Sequence, residues 1–224
     1  MSSAVTNPPS RKIEWLVWGG LVIIILTLLL AFLLTQLRRR LALGKPLPVI
    51  GPVADFTLTN QNGQAVSLAD LRGHVWIGDV IFTRCAGPCL GMTRQMKQLQ
   101  EALPPNNGTK LVTLTTDPGY DSPAILKTYA QDRAGANANR WMFLTGDKKQ
   151  IAALATDSLK LVAMEKEADK REAPNDLFIH STIFVIVDKQ AQLRGVFETT
   201  GDDVDPQKTK NQILAAARRL EREP

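Results

Sequence analysis

The sequence predicts an α/β protein, a mixed sheet flanked by helices, preceded by one N-terminal transmembrane helix. Three observations support this fold class. The twenty residues from Trp15 to Leu34 contain no charged side chain. Beyond them, short apolar runs typical of buried strands alternate with segments whose apolar residues recur every three or four positions, as on an amphipathic helix. The chain is 44% hydrophobic and 22% charged, which allows one globular domain with its own core.

The first apolar run predicts a helix that crosses a bilayer once. At about 1.5 Å per residue, it spans the roughly 30 Å hydrocarbon core. Trp15 and Trp18 stand at its start, where indole rings favour the membrane interface. We therefore assign residues 1–14 to an N-terminal tail and residues 15–37 to a transmembrane helix in contact with the lipid bilayer. A cleavable signal peptide is disfavoured because the run exceeds the usual stretch of about 7 to 15 residues and no small-residue cleavage site follows it.

Basic residues flank this helix on both sides. Arg11 and Lys12 precede it, and Arg38–Arg40 and Lys45 follow it. The positive-inside rule alone would place the globular domain in the cytoplasm, but the difference is small and the rule weakens for large domains, so charge leaves the orientation open. The net charge of +5 does not indicate a nucleic-acid partner, because the other basic residues are scattered among acidic ones.

The rest of the chain predicts a linker, residues 38–52, and a globular domain, residues 53–224. Prolines at positions 46, 48 and 52 disfavour a regular helix in the linker. Within the domain, the highly charged stretch Glu165–Asp176 predicts a solvated loop. The predicted strands cover residues 56–59, 65–66, 75–82, 110–116, 141–145, 182–187 and 193–198, and the predicted helices begin at Ser67, Pro88, Ser122, Ile151 and Asp205.

Several of these helix starts carry a local signal. Ser67 and Asp70 have the spacing of a capping box. Ser122 and Asp205 are each followed by a proline, which gives an N-cap residue with proline at the first helical position. A hairpin and a short helix are followed by strand, helix, strand, helix, strand, helix, hairpin and helix. This order is that of a thioredoxin-like fold.

Cys85 and Cys89 are the only cysteines in the chain. Cys85 follows a predicted strand, and Cys89 falls in the first turn of the next helix, where unpaired backbone N–H groups favour a thiolate. We expect both sulfurs to ionise more readily than an isolated thiol. A spacing of four residues at a helix start also brings two sulfurs close enough to share a metal ion or to form a disulfide. The pair therefore permits either metal binding or thiol–disulfide exchange.

His180 stands just before the apolar run Thr182–Val187 and is the imidazole that we expect to join the two cysteines. Two thiolates and an imidazole suit copper, because thiolates hold Cu(I) and the added imidazole also holds Cu(II). Zinc is the competing ion, but no second cluster of cysteine and histidine completes a closed four-ligand zinc site. The sequence therefore predicts a copper ion at Cys85, Cys89 and His180.

Four ordered motifs resemble those of the SCO/SenC copper-chaperone family. They are Ile81–Cys89, Thr116–Pro123, Trp141–Gly146 and His180–Asp188, and the resemblance covers about residues 53–197. It implies that the family's three copper ligands fall on the two cysteines and the histidine. It also implies a domain on the extracytoplasmic, periplasmic side of the inner membrane. The implied partner is subunit II of cytochrome c oxidase or another cupro-protein. In subunit II, the copper-A centre would receive the copper, or its cysteines would be kept reduced.

Two classes of function stay open at this point. A metallochaperone would hold copper and pass it on by ligand exchange, without turnover. A thiol–disulfide oxidoreductase would use Cys85 and Cys89 as its redox-active catalytic pair. Against the second class, three residues rather than two separate the cysteines, and no proline stands immediately before Thr182. A peroxidase ranks last, because Phe82 occupies the position where a threonine would precede the reactive cysteine.

Four further residues have both a functional and a structural interpretation. Asp79 would suit an acceptor for a ligand N–H, but we favour an acid that faces solvent at a strand edge. Asp117 and Asp121 match the family motif, and a turn followed by a helix cap explains both of them. Met92 could offer a thioether to copper, but its helical spacing favours a core position.

Overall fold

The computed structural model describes residues 11–43, 46–85, 87–161, 163–165, 178–180, 182–201 and 203–223. They separate into two compact units, with the boundary between Pro46 and Leu47. The first unit contains helix α1, Arg11–Leu43. Its stretch Trp15–Gln36 is long and apolar enough to cross a membrane and is not buried by protein. The helix continues to Leu43 because leucine, arginine and alanine favour helices.

The second unit is built on an eight-stranded mixed sheet. In chain order, the strands of the protein are β1 Gly51–Pro52, β2 Thr57–Asn60, β3 Ala65–Ser67, β4 Trp76–Ile81, β5 Lys110–Thr115, β6 Trp141–Thr145, β7 Ala163–Glu165, β8 Phe178–His180, β9 Ile183–Val187 and β10 Gln192–Glu198. The order in the large sheet is β1-β10-β9-β4-β5-β6-β2-β3, and β7 pairs with β8 separately. β4, β5 and β6 are parallel, and β9 is antiparallel to β4. β4 is therefore central, and all of its residues are buried.

Helices cover both faces of this sheet. They are α2 Leu68–Leu71, α3 Cys89–Ala102, α4 Pro123–Tyr129, α5 Lys148–Ala153 and α6 Pro206–Leu220. Helices α3, α4 and α6 form one apolar core with the sheet, through side chains such as Met92, Leu126 and Ile213. Helices α2 and α5 form a second core on the opposite face. The two cores are separate because successive side chains of a strand point to opposite faces.

The predicted helix caps and hairpins are confirmed. Ser67 and Asp70 form the capping box. The side chains of Ser122 and Asp205 accept hydrogen bonds from backbone N–H groups in the first turns of α4 and α6. The two predicted hairpins are β2–β3 and β9–β10.

One edge of the sheet brings together the chain segments with the predicted chemistry. The loop that contains Cys85 follows the carboxyl end of β4, and α3 begins at Cys89. In the antiparallel pair of β4 and β9, Gly78 lies opposite Val185, so the amino end of β9 lies beside the carboxyl end of β4. His180 ends β8, and β9 begins three positions later. The topology therefore leads the chain from His180 to the edge that carries the cysteines.

Candidate metal centre

Cys85 lies in the loop between β4 and α3, and Cys89 is the first residue of α3. The backbone N–H of Cys85 donates to the carbonyl of Phe82 at 3.2 Å, which closes a turn. The backbone N–H of Gly87 donates to the Cys85 sulfur at 3.4 Å. Cys85 is half-buried, whereas Cys89 is only 1% exposed. Cys85 is therefore the accessible sulfur of the pair and Cys89 the enclosed one.

Both cysteines are thiols, and their side chains form a hydrogen bond with each other. This contact raises the pKa of Cys89 above its ordinary value, burial raises it further, and a backbone hydrogen bond from Phe82 acts in the opposite direction. The prediction that both sulfurs ionise readily is wrong for Cys89, because the contact with Cys85 and the loss of solvent outweigh the helix start. A metal ion that takes both sulfurs as thiolates has to displace the Cys89 proton, so binding releases it.

Asp121 anchors the loop ahead of Cys85. Its carboxylate is fully buried and accepts hydrogen bonds from the backbone N–H of Thr83 at 3.1 Å, from the Thr83 hydroxyl, and from the Thr115 hydroxyl at 2.5 Å. Burial raises the pKa of this carboxyl above its usual value, while the hydrogen bonds from Thr115 and Thr83 offset part of the rise. Three donors on one carboxylate fix the backbone two residues before Cys85.

Arg84, the residue next to Cys85, is held by Asp117 and Tyr120. Its guanidinium donates from Nε at 2.9 Å and from Nη2 at 2.6 Å to one oxygen of Asp117. It also lies over the Tyr120 ring, 4.2 Å from the centroid. The backbone N–H of Tyr120 donates to the Asp117 carbonyl, so the predicted turn is present as well. The turn-and-cap interpretation of the two aspartates missed their contacts with the cysteine loop, because no local spacing links these distant segments.

Asp79 is a buried acid in the central strand, 1% exposed. Its Oδ1 accepts a hydrogen bond from the Thr113 hydroxyl at 2.6 Å, and the Thr113 oxygen accepts one from the indole N–H of Trp141 at 2.9 Å. The prediction of a solvent-facing acid at a strand edge is wrong, because β4 has a strand on each side and helices over both faces. After the larger effects of the Cys85 contact and of burial, the negative charge of Asp79 adds to the rise in the pKa of Cys89.

Tyr129 belongs to the same apolar core as Cys89. Its hydroxyl lies 2.8 Å from that of Thr93, which in turn donates to the Cys89 carbonyl at 2.9 Å. Burial raises the pKa of Tyr129 to about 12. Met92 is fully buried in the core, as its helical spacing predicted.

His180 is described at the level of its backbone, as the last residue of β8, opposite Ala163 of β7. The predicted charged loop, apart from Glu165, lies outside the described residues. Among the residues that the structure describes fully, no group of three or more histidine, cysteine, aspartate or glutamate side chains is arranged to hold a metal ion. The assignment of His180 as the third ligand therefore stays a prediction.

The family model described as SCO1/SenC matches residues 51–217. The chain belongs to the SCO1/SenC family. The SCO1 protein homolog of Bacillus subtilis is 33% identical over 163 residues, which are 70% of this chain and 81% of that protein. The predicted family resemblance is thus confirmed.

Solved structures of SCO1/SenC relatives confirm the thioredoxin-like Sco fold. BsSco is described as having a disulfide switch and as a member of the Sco family of cytochrome c oxidase assembly proteins. It is 27% identical to this chain with a TM-score of 0.66, and the match covers 80% of this chain and 100% of BsSco. ScoI of Bradyrhizobium japonicum, solved with copper bound, is 20% identical with a TM-score of 0.59, over 76% of this chain and 99% of ScoI. The second likeness shows the fold alone. The range matched by the family model contains both cysteines and His180, whereas the apolar helix precedes it.

Proposed function

We propose that this SCO1/SenC protein is a membrane-anchored copper chaperone. It binds one copper ion through Cys85, Cys89 and His180 and delivers it to the copper-A centre of cytochrome c oxidase subunit II or to another cupro-protein. The observation that carries the proposal is the contact between the two cysteine side chains at the start of α3. Two adjacent sulfurs are the donor set that a soft copper ion requires.

The unequal burial of the cysteines suits transfer rather than permanent storage. Cys89 is enclosed and holds the ion from within, whereas Cys85 is half-buried and open to an incoming ligand. A thiolate of a recipient protein can replace Cys85 first and Cys89 second, so copper moves by ligand exchange while its oxidation state is kept. The protons lost on loading return to the cysteines as the ion leaves.

The proposed role of His180 rests on the topology. The chain from His180 enters the sheet at the amino end of β9, beside the carboxyl end of β4 from which the cysteine loop departs. An imidazole added to the two sulfurs extends the site from Cu(I) to Cu(II). His180 is therefore the ligand that allows copper to be held through a redox change.

The recipient is proposed from the family. BsSco is described as a member of a family of cytochrome c oxidase assembly proteins, and it is 27% identical to this chain. Binding of copper by ScoI is a property of that protein, and the likeness to it shows the fold alone. The donor set therefore supports copper, and membership of the family supports the assembly of cytochrome c oxidase.

The apolar helix is the proposed anchor. Its stretch Trp15–Gln36 can cross a membrane by length and composition. We assign residues 1–14 to a tail, residues 15–37 to the span and residues 53–224 to the copper-binding domain, on the extracytoplasmic side of the inner membrane. Residues 38–52 connect the span to the domain, and of these residues 38–43 continue α1 and residues 51–52 form β1. The side follows from the proposed recipient, because the orientation is not determined by the flanking charges.

Copper titration of the full chain in detergent tests this proposal. The reduced protein is titrated without oxygen with Cu(I) and then with Cu(II), and His180→Ala is compared with His74→Ala. His74 is the only other histidine and precedes β4, at the opposite end of that strand from the cysteine loop. We expect one copper per chain, and a loss of Cu(II) affinity of more than about 100-fold for His180→Ala alone, since outer partners of metal ligands already cost 10–100-fold. Unchanged Cu(II) affinity in His180→Ala would remove this residue from the site.

A second candidate function, a thiol–disulfide oxidoreductase, is favoured by the contact between two thiols. The Cys85 thiolate would attack a disulfide of a partner and form a mixed disulfide, and Cys89 would then attack the Cys85 sulfur. The partner leaves as a dithiol, and this protein keeps the two sulfurs as a disulfide, so two electrons and two protons pass to the partner. If this function dominates, Cys85→Ser abolishes exchange with an oxidised dithiol peptide while His180→Ala leaves it nearly intact.

A further inference from the structure

A chain of hydrogen bonds connects the helix that carries Cys89 with the strand end near His180. Gln95 lies six residues after Cys89 on α3, and its side-chain Nε2 donates to the carbonyl of Thr199 at 3.1 Å. The backbone N–H of Thr199 donates to the carbonyl of Thr182 at 2.8 Å, and its hydroxyl donates to the same carbonyl at 2.7 Å. We call Gln95, Thr199 and Thr182 the strap. It ends two positions after His180.

The strap holds Thr182 more firmly than sheet pairing requires. The last ladder pair of the hairpin joins Glu198 and Ile183, and the backbone bond between Thr199 and Thr182 extends this pairing by one step. The Thr199 hydroxyl adds a second donor to the same carbonyl, so both lone pairs of that oxygen are used. Thr199 is fully buried, whereas Thr182 is half-buried. The peptide group that follows Thr182 is thereby fixed in orientation.

We infer that Thr199 is a positioning residue that sets the place of His180 relative to Cys89. The inference rests on the proposed function, because it requires His180 to be a copper ligand. A metal site needs its ligands held to within a fraction of an ångström, and a site that is 1 Å too loose loses much of its function. Cys85 and Cys89 are placed by their own loop and helix, whereas His180 lies outside the large sheet. The strap ties Thr182, two positions after His180, to the helix of Cys89.

The inference predicts a selective effect. Cu(I) is satisfied by the two sulfurs, so its binding does not depend on the placement of His180. Cu(II) needs the imidazole as well, so its affinity and its spectrum do depend on it. A merely structural role of Thr199 would change folding stability and leave the spectrum of bound Cu(II) as it is in the wild type.

The test compares Thr199→Val with Thr199→Ser in the full chain in detergent. Valine keeps the shape and the backbone N–H but removes the hydroxyl, whereas serine keeps the hydroxyl. Thr209→Val is the matched control, because the Thr209 hydroxyl is also mostly buried and donates at 3.3 Å to the neighbouring carbonyl of Glu198, outside the strap. His180→Ala is measured in parallel. The readouts are the affinities for Cu(I) and Cu(II), and the electron paramagnetic resonance and sulfur-to-copper absorption spectra of the Cu(II) form.

We expect Thr199→Val to lower Cu(II) affinity about tenfold, the lower end of the range for outer partners of a metal site, and to shift the spectra toward those of His180→Ala. Cu(I) affinity stays unchanged, and Thr199→Ser and Thr209→Val behave as the wild type. If His180→Ala loses Cu(II) but Thr199→Val keeps wild-type affinity and spectra, the positioning role is overturned and the proposed function stands. If His180→Ala itself binds Cu(II) normally, the ligand assignment fails and the positioning role fails with it.

Discussion

Asp121 accepts hydrogen bonds from both the backbone N–H and the hydroxyl of Thr83, although 38 positions separate the two residues. Thr83 stands two residues before Cys85, so the start of the cysteine loop is fixed by a carboxylate from the segment between β5 and α4. Arg84 and Asp117 make a second link between the same two segments, at 2.6 Å. The arrangement of the two sulfurs therefore depends on a motif that contributes no ligand.

The Asp121 carboxylate gives a prediction about stability. Asp121→Ala leaves the N–H and the hydroxyl of Thr83 and the hydroxyl of Thr115 without their acceptor, and each such buried group costs about 1–3 kcal/mol. We expect a loss of about 3 kcal/mol or more in the free energy of unfolding, measured by urea denaturation of the full chain in detergent. Asp121→Asn keeps an acceptor and should lose clearly less. Equal losses in the two variants would contradict the role of the carboxylate oxygens.

The hydroxyl of Thr113 gives a second stability prediction, in the core behind the cysteines. Thr113→Val keeps the shape of the side chain but removes the donor to Asp79 and the acceptor of the Trp141 indole N–H. Since both partners are buried, we expect a loss of about 2–4 kcal/mol. Thr113→Ser keeps the hydroxyl and is the control, with an expected loss of about 1 kcal/mol for the missing methyl group. The measurement is the midpoint of urea unfolding, and a valine variant as stable as the serine variant would refute the prediction.

Arg194 ties together three segments of the second unit. Its guanidinium donates to Asp188 at 2.7 Å, to Glu223 at 2.9 Å, and to the backbone carbonyls of Leu47 and Pro48. Arg194→Met leaves the buried Asp188 without its cation, which costs about 3–5 kcal/mol in comparable buried pairs.

Arg72→Met is the matched control for this variant. Arg72 is exposed and touches the same hairpin through the Gln190 carbonyl. We expect its removal to cost less than about 0.5 kcal/mol. Protease cleavage near Leu47 should also be faster in Arg194→Met than in the control, since the linker carbonyls lose their donor. Equal thermal stability of the two variants would contradict the prediction.

The raised pKa of Tyr129 predicts how the stability of the protein changes at alkaline pH. Its pKa is raised from 10.0 to about 12, so its contribution to stability is fully present below pH 10 and is lost as the pH rises to about 12. Because a pKa difference of one corresponds to about 1.4 kcal/mol, the free energy of unfolding falls by about 3 kcal/mol over this range. Tyr129→Phe should therefore lose stability less steeply than the wild type above pH 10. Parallel curves for Tyr129→Phe and the wild type would show that Tyr129 is not the group responsible.

Much of the local structure was predictable because its signals lie close together in the sequence. The strand predicted at residues 75–82 is Trp76–Ile81, and the helix predicted to begin at Pro88 begins at Cys89. The helix predicted from Ile151 begins at Lys148 instead, because Asp147 caps it by accepting a hydrogen bond from the Gln150 N–H. That signal was present in the sequence, and the error came from following the apolar residues alone.

The remaining features depend on which distant segments become neighbours. Asp79 is buried because β9 and β5 lie on either side of β4, and strand order is not contained in the local pattern of β4. The two links to the cysteine loop join segments more than thirty residues apart. The raised pKa of Cys89 also follows from tertiary contacts, first with Cys85 and then through burial. Periodicity and spacing predicted the candidate site, whereas its electrostatics required the fold.

The most direct test of the central claim is X-ray absorption at the copper edge on the full chain loaded with one Cu(II), for the wild type and His180→Ala. For the wild type, we predict two sulfur neighbours and the multiple scattering of an imidazole. For His180→Ala, we predict that the imidazole signal is absent and that both sulfurs are retained. An imidazole signal that persists in His180→Ala, or a wild-type spectrum without two sulfur neighbours, would contradict copper binding by Cys85, Cys89 and His180.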